Sequence, residues 1–346
     1  FLEVIDMINV EVLRYISSEL KNDRDVDLEY QINGIPYKIK FLTADVSKGI
    51  NIPSIIAIPL SEKINNQLVV ESNNLESDNL EEIIEQGAQT GVRLARLTRD
   101  FPSPIIVPLI PSYRGYPYLQ QLSKECFSIS SDDKNYRMDE QVVRIVDYAK
   151  SIIENETGLT VQDKIFLNGY SSSGVFAQRF ALLHPDIVET ACIGGASGSI
   201  PIPTDKLAYP LGIADYESLT SKEFDYESYL KIQFRYYVGE LETQNKSDSR
   251  FDELGKPAPM HDMSYFDRSV PREVGKYQRS VLGTEMFSRA QNTIQILQNL
   301  GIDIQHKIIL GRGHNNLNGI GVNELGEHFV IETYKNTAEN KNRKLM

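Results

Sequence analysis

The stretch "LNGYSSSGVFAQRFALLHP", residues 167–185, decides how the chain is to be read. An apolar run, "DKIFLNG" (163–169), enters it as a β-strand, and "GVFAQRFALLH" (174–184) leaves it with helical spacing until Pro185 stops the helix. Between strand and helix lie Gly169, Tyr170, three serines and Gly174. A serine-rich turn can simply cap a helix. It can also lift one hydroxyl clear of a sheet onto a helix N-terminus, whose N–H groups stabilise an oxyanion.

The spacing separates the three hydroxyls. A nucleophile on such a turn needs small residues two positions to either side, because the backbone is crowded there. With Ser171 as nucleophile those residues are Gly169 and Ser173, the latter departing from the usual glycine but followed at once by Gly174. Ser172 would put Tyr170 at a crowded position. Ser173 falls in the first helical turn and suits a cap or packing role.

Working outward, the flanks alternate strand and helix. Strands are expected at 104–110, 163–169, 189–197, 231–239 and 303–310, with helices at 77–100, 138–156, 174–184, 272–300 (interrupted near Gly283) and 321–336. Continuous apolar strands between amphipathic helices imply a mostly parallel central sheet with helices on both faces. Earlier, "LEYQINGIPYKIKFL" (28–42) reads as a hairpin about Asn33-Gly34, followed by short strands in "IPSIIAIP" and "NQLVVESN". These are N-terminal antiparallel strands at one edge.

The domain reading is an N-terminal helical appendage over 1–25, a main domain over 26–336, and a frayed tail over 337–346. Two long insertions, about 197–230 and 243–271, interrupt the rhythm and read as a small cap, since loops of that length are usually functional or locally folded.

Composition bounds the function. Thirty-six basic against 48 acidic residues give a net charge of −12, with no long basic block, which argues against a nucleic-acid or anionic-membrane surface. No apolar run reaches the roughly 20 residues that span a bilayer. Cys126 and Cys192 read as free thiols rather than a disulfide framework. That leans toward a cytoplasmic compartment; the start at Phe1 implies a removed or omitted N-terminal segment, which leaves secretion open. Oligomeric state is not legible.

A serine needs a base. Among five histidines, His184 suits a helix C-terminal dipole partner, His306 lies mid-strand and His328 mid-helix. His261, in "MHDMSYFD", has no metal-ligand spacing and reads as cap structure. His314, in "LGRGHNN" just after the last strand, is the candidate base. The acid is sought after the preceding strand, where Gly239-Glu240-Leu241-Glu242 makes Glu242 the first choice, with Glu240 and Asp248 as alternatives. The oxyanion hole would use the N–H of Ser172 and one from Ser112 or Tyr113, since Pro111 has none. Arg114, Tyr116, Tyr118 and Tyr170 are candidate substrate contacts.

With "GYSSSG", "VGELE" and "GRGHNN" in that order, each after a strand, the chain resembles α/β-hydrolases of the serine esterase and peptidase kind over roughly residues 30–336. The elbow helix is similar to those of polyhydroxybutyrate-depolymerase-like and feruloyl-esterase-like members. The resemblance implies an α/β-hydrolase fold and a Ser171–His314–Glu242 mechanism on a small-molecule acyl substrate, without cofactor or metal. A carboxylic ester is the first expectation. A peptidase or acyltransferase with the same triad, or a catalytically silent binding protein, are the alternatives.

Overall fold

The structure is a computed structural model that describes residues 10–74, 77–111, 119–196, 199–240, 272–284, 286–311 and 323–344. The chain divides into two compact units: residues 1–120, 129–168 and 330–346 in the first, and 121–128 with 169–329 in the second.

The first unit begins with helix α1 (Val10–Lys21), whose Leu13, Ile16 and Leu20 recur at helical spacing and are buried. Strands β1 (Val26–Ile32) and β2 (Ile35–Leu42) pair antiparallel with Ile32 opposite Ile35. Asn33 and Gly34 have φ of 52° and 77°, the backbone a two-residue hairpin demands. Strand β3 (Ser54–Pro59) is antiparallel to both β2 and β5 (Ile105–Pro108). Strand β4 (Val69–Val70) is parallel to β5 on one side and to β6 (Ile165–Tyr170) on the other. The order is therefore β1-β2-β3-β5-β4-β6. All of β3 and β5 is buried, as their unbroken apolar sequences require.

Helix α2 (Leu80–Leu97) is capped by the Asn79 side chain on the Glu81 N–H, with Glu81 and Glu82 in its first turn and Arg96 in its last. Helix α3 (Met138–Thr157) ends at Gly158, with φ 69°.

In the second unit, helix α4 (Ser172–Leu183) follows β6 directly, and all twelve of its residues are buried. Strands β7 (Val188–Gly194), β8 (Gln233–Gly239) and β9 (Ile304–Ile309) run parallel in that order. The first insertion folds locally, carrying α5 (Tyr216–Thr220) and α6 (Tyr226–Lys231). Helices α7 (Arg272–Leu282) and α8 (Met286–Asn299) are separated at Gly283, φ 108°, as the sequence indicated. The last helix, α9, runs Asn323–Lys344.

Three expectations need correction. "NQLVVESN" supplies only two strand residues, Val69 and Val70; beyond them the Glu71 and Asn73 N–H groups still bond the Ile106 and Pro108 carbonyls, while the buried Glu71 and Asn73 side chains turn to polar partners. Residues 226–231, next to the strand expected at 231–239, form α6, where the Asp225 carboxylate caps the Ser228 N–H, and β8 starts at Gln233. The tail expected to fray is helical to Lys344, since Tyr334, Thr337 and Ala338 are buried at helical spacing. Cys126 and Cys192 are buried and not joined in a disulfide, as expected. No described helix is long and apolar enough to cross a membrane. The second insertion, 243–271, lies outside the described residues.

Candidate active site

The turn between β6 and α4 treats its three serines differently. Ser171 has φ 58° and ψ −116°, outside the regions open to ordinary L-residues. The fold enforces that conformation from both sides. Its N–H donates to the Gly194 carbonyl at the end of β7 (2.9 Å), and its own carbonyl accepts the first helical bond from Val175 N–H (3.0 Å). Its side chain makes no capping bond to α4.

Ser173 is wholly buried and closes the turn on itself. Its Oγ accepts the Tyr170 N–H and donates to the Tyr170 carbonyl, both at 2.9 Å. Ser172, also buried, heads the helix, and its Oγ accepts Gln121 Nε2–H at 3.1 Å. The crowding falls two residues before Ser171: a Cβ on Gly169 would stand 2.2 Å from the Ser173 carbonyl oxygen.

Tyr170, half-buried, stacks on Tyr237 of β8 with ring centroids 6.1 Å apart and planes 19° from parallel. The rings fit because β7 ends at Gly194 and a second glycine, Gly195, follows it. A Cβ on Gly194 would lie 2.0 Å from Tyr237 Cζ, and one on Gly195, φ 54°, would lie 2.8 Å from Tyr170 Cε2.

Beneath the turn, Arg179 of α4 is buried and its Nη1 donates to the Gln121 carbonyl at 2.8 Å. Burial pulls its guanidinium below the usual arginine range, against Tyr209, Cys126 and Glu125, which favour the charge. Burial likewise pushes the Glu125 carboxyl up, opposed by its backbone N–H and by Arg179. Arg179 thus fixes the short turn that brings Gln121 onto Ser172.

At the ends of β8 and β9, the Glu240 N–H donates to the Ile309 carbonyl, and its carboxylate accepts the Gly311 N–H at 2.8 Å. One of the three acid candidates is therefore tied to the segment that follows β9. Glu242, Asp248 and His314 lie outside the described residues. So do Ser112, Tyr113, Arg114, Tyr116 and Tyr118, but the described ends of their loop are held by one buried residue. Asn73 pairs with Ile110 twice, Oδ1 accepting the Ile110 N–H (2.8 Å) and Nδ2 donating to its carbonyl (3.0 Å). The Asn73 carbonyl accepts a bond from Gln120 Nε2.

His184 ends α4 as expected, its N–H on the Phe180 carbonyl and its ring 4.9 Å from the Phe180 ring. His306 lies in β9 and His328 in α9. Reading the sequence did not find Gln121, Tyr237 or Asn73. Asn73 stands in a strand-like run, and Tyr237 is one of several aromatics in "FRYYVG"; their partners are 37 or more residues away.

Fold and connections define the class: this is an α/β-hydrolase fold, with antiparallel strands at its N-terminal edge and parallel strands thereafter. No family model matches the chain, and neither does any curated protein. Solved structures are similar in outline only. Poly(aspartic acid) hydrolase-1 from Sphingomonas sp. KT-1 is 13% identical over 88% of this chain and 98% of its own, with a TM-score of 0.47. The poly(3-hydroxybutyrate) depolymerase LpqC from Bordetella parapertussis is 12% identical over 92% and 90%, TM-score 0.46. Carboxyl esterase 2 from Tuber melanosporum is 11% identical over 88% and 89%, TM-score 0.46. At that distance the fold class rests on the strands and their connections, not on these likenesses.

Proposed function

We propose that the protein is a serine hydrolase that cleaves a carboxylic ester or a related acyl bond, with Ser171 as its nucleophile. The observation that carries this is the Ser171 backbone. A non-glycine residue held at φ 58°, ψ −116° between a strand and a helix is a costly conformation, of the kind that concentrates at reactive sites.

In this mechanism the Ser171 Oγ attacks the acyl carbonyl carbon while His314 takes its proton. The tetrahedral oxyanion is met by the Ser172 N–H and by Ser112 or Tyr113 N–H. His314 then returns the proton to the leaving alkoxide, and a water activated by the same imidazole releases the acid and restores Ser171. Glu242 holds the imidazole. Glu240 is the less suitable acid because its carboxylate already accepts the Gly311 N–H; we assign it to tethering the segment that His314 follows by three residues.

The test is covalent labelling with a fluorophosphonate, alongside hydrolysis of p-nitrophenyl esters of graded chain length. Labelling mapped to Ser171, and turnover lost in Ser171→Ala with fold retained, are the expected results. Near-normal hydrolysis by Ser171→Ala would overturn the assignment. Absent labelling of well-folded protein would favour the catalytically silent binding protein.

A further inference from the structure

The second unit contains a cavity of about 310 Å³ whose described lining includes none of the residues assigned to the proposed reaction. One wall is residues 202–211 of the first insertion, presenting Ile202, Leu207 and Leu211; the other is α7, α8 and the residue after α8, presenting Leu282, Ile296 and Leu300. The insertion wall is pre-formed. Ile202 N–H bonds the Leu211 carbonyl (2.8 Å), Ile213 N–H the Thr204 carbonyl (3.0 Å) and Ala214 N–H the Leu207 carbonyl (2.8 Å). Gly212 packs so closely that a Cβ would stand 2.3 Å from the Leu207 carbonyl oxygen. The opposite wall is fastened where Gln278 Nε2 donates to Ser199 Oγ.

Three features say what fits. The lining is mostly apolar, and two of its side chains, Val281 and Leu300, are each 48% exposed, so apolar surface continues to the mouth. Lys206 is the one charged residue lining it among the described residues, and it makes no ion pair with any of them, in a chain of net charge −12. Gln278 is 3% exposed, and its Oε1 has no hydrogen-bond partner among the described residues. A carboxylate would be repelled from that oxygen and drawn to Lys206, beside which the Thr204 hydroxyl can donate a further bond.

We propose that this cavity binds an aliphatic monocarboxylate, with its chain between the leucines and its carboxylate on Lys206 and Thr204. At about 30 Å³ per non-hydrogen atom, the volume holds about ten such atoms, the size of octanoate. It is too small for a peptide helix, about 10 Å across with its side chains, and the lysine disfavours a cation. Ser171 is not among its described lining residues.

Isothermal titration of the full chain, and of Ser171→Ala in parallel, with straight-chain carboxylates reads the site without relying on catalysis. Each methylene added from butanoate to octanoate is expected to tighten binding about fourfold, with little further gain beyond the length the cavity holds. Lys206→Glu, an exposed substitution, is expected to weaken octanoate at least tenfold, and octylamine to bind at least tenfold more weakly than octanoate. The proposal is overturned if octanoate does not bind saturably to folded protein. It is equally overturned if Lys206→Glu binds as well as the parent, or if affinity climbs without a plateau. Loss of ester turnover in Ser171→Ala with octanoate binding intact would separate this site from the proposed reaction.

Discussion

If Ser171 is held in its conformation for chemistry, glycine there should stabilise the protein while abolishing its activity. At φ 58°, ψ −116° the Cβ of any L-residue is strained, at a cost of about 1–3 kcal/mol. Ser171→Ala keeps that Cβ and Ser171→Gly removes it. Both retain the backbone bonds to Gly194 and Val175, and neither loses a cap, since the serine side chain makes no capping bond to α4. Against the relief stands the greater freedom of glycine in the unfolded chain, about 0.4–1 kcal/mol. The glycine variant should therefore exceed the alanine variant by about 0.5–2 kcal/mol. Reversible urea unfolding of both variants reads the difference directly. Across a 346-residue chain unfolding as a unit, 1 kcal/mol corresponds to only about 1–2 °C in Tm, so chemical denaturation is the better assay. Both variants should fall to background hydrolysis of p-nitrophenyl esters. Equal midpoints, or a less stable glycine variant, would refute the strain; retained hydrolysis would refute its purpose.

Other perturbations test the surroundings of the turn. Asn73→Ala removes both bonds to Ile110 and leaves buried backbone groups unpaired, so stability should drop by about 2–4 kcal/mol, with kcat falling more than KM as the 111–120 loop loses its tether; unchanged unfolding would exclude the role. Gly194→Ala drives a methyl into the Tyr237 ring, and should cost about 1–3 kcal/mol and alter the near-ultraviolet circular dichroism of the stacked tyrosines. For pH, the hydrogen bond from Lys335 holds the Asp100 carboxyl below its usual range, against a smaller opposing effect of burial. A depressed acid contributes stability that is present above its unfolded pKa and lost as pH falls through the folded one. Both side chains are over a third exposed, so after solvent screening Lys335→Met should cost at most about 0.5 kcal/mol at pH 7. The gap from wild type should close on acidification below pH ~4, and a gap that widened there would contradict the sign.

What was legible in the sequence was local. The hairpin could be read because Asn33-Gly34 tolerates positive φ, and the break between α7 and α8 because Gly283 stands between two helical patterns. What failed depended on distant partners. Nothing in "YKNTAENKNRK" announces a stable helix, yet Tyr334 anchors it by accepting a bond from Asn65 (2.7 Å) and donating to the Phe101 carbonyl (2.9 Å). The "VESN" end of the short β4 reads as strand, but its Glu71 is a buried carboxylate held by Arg93 and Asn168, each at 2.6 Å. Burying that charge without both partners would be unfavourable, and the partners lie 22 and 97 residues away.

The serine turn shows how a local motif depends on a non-local frame. Gly169 and Gly174 belong to the motif and could be read from it, but the bond that holds the Ser171 N–H comes from Gly194. Gly194 can approach only because it has no Cβ to meet Tyr237, and Tyr237 in turn supports the ring of Tyr170, the residue before the serine. In the sequence, "CIGGAS" reads simply as part of the strand expected at 189–197. Its two glycines are better explained as the far side of the turn: they let β7 pass close enough to fix Ser171 while leaving room for an aromatic pair beside it. Strain at one residue persists only when its neighbours over-determine it. Here the neighbours are the helix that follows the serine, the carbonyl of an adjacent strand, and two tyrosines packed where side chains were left out.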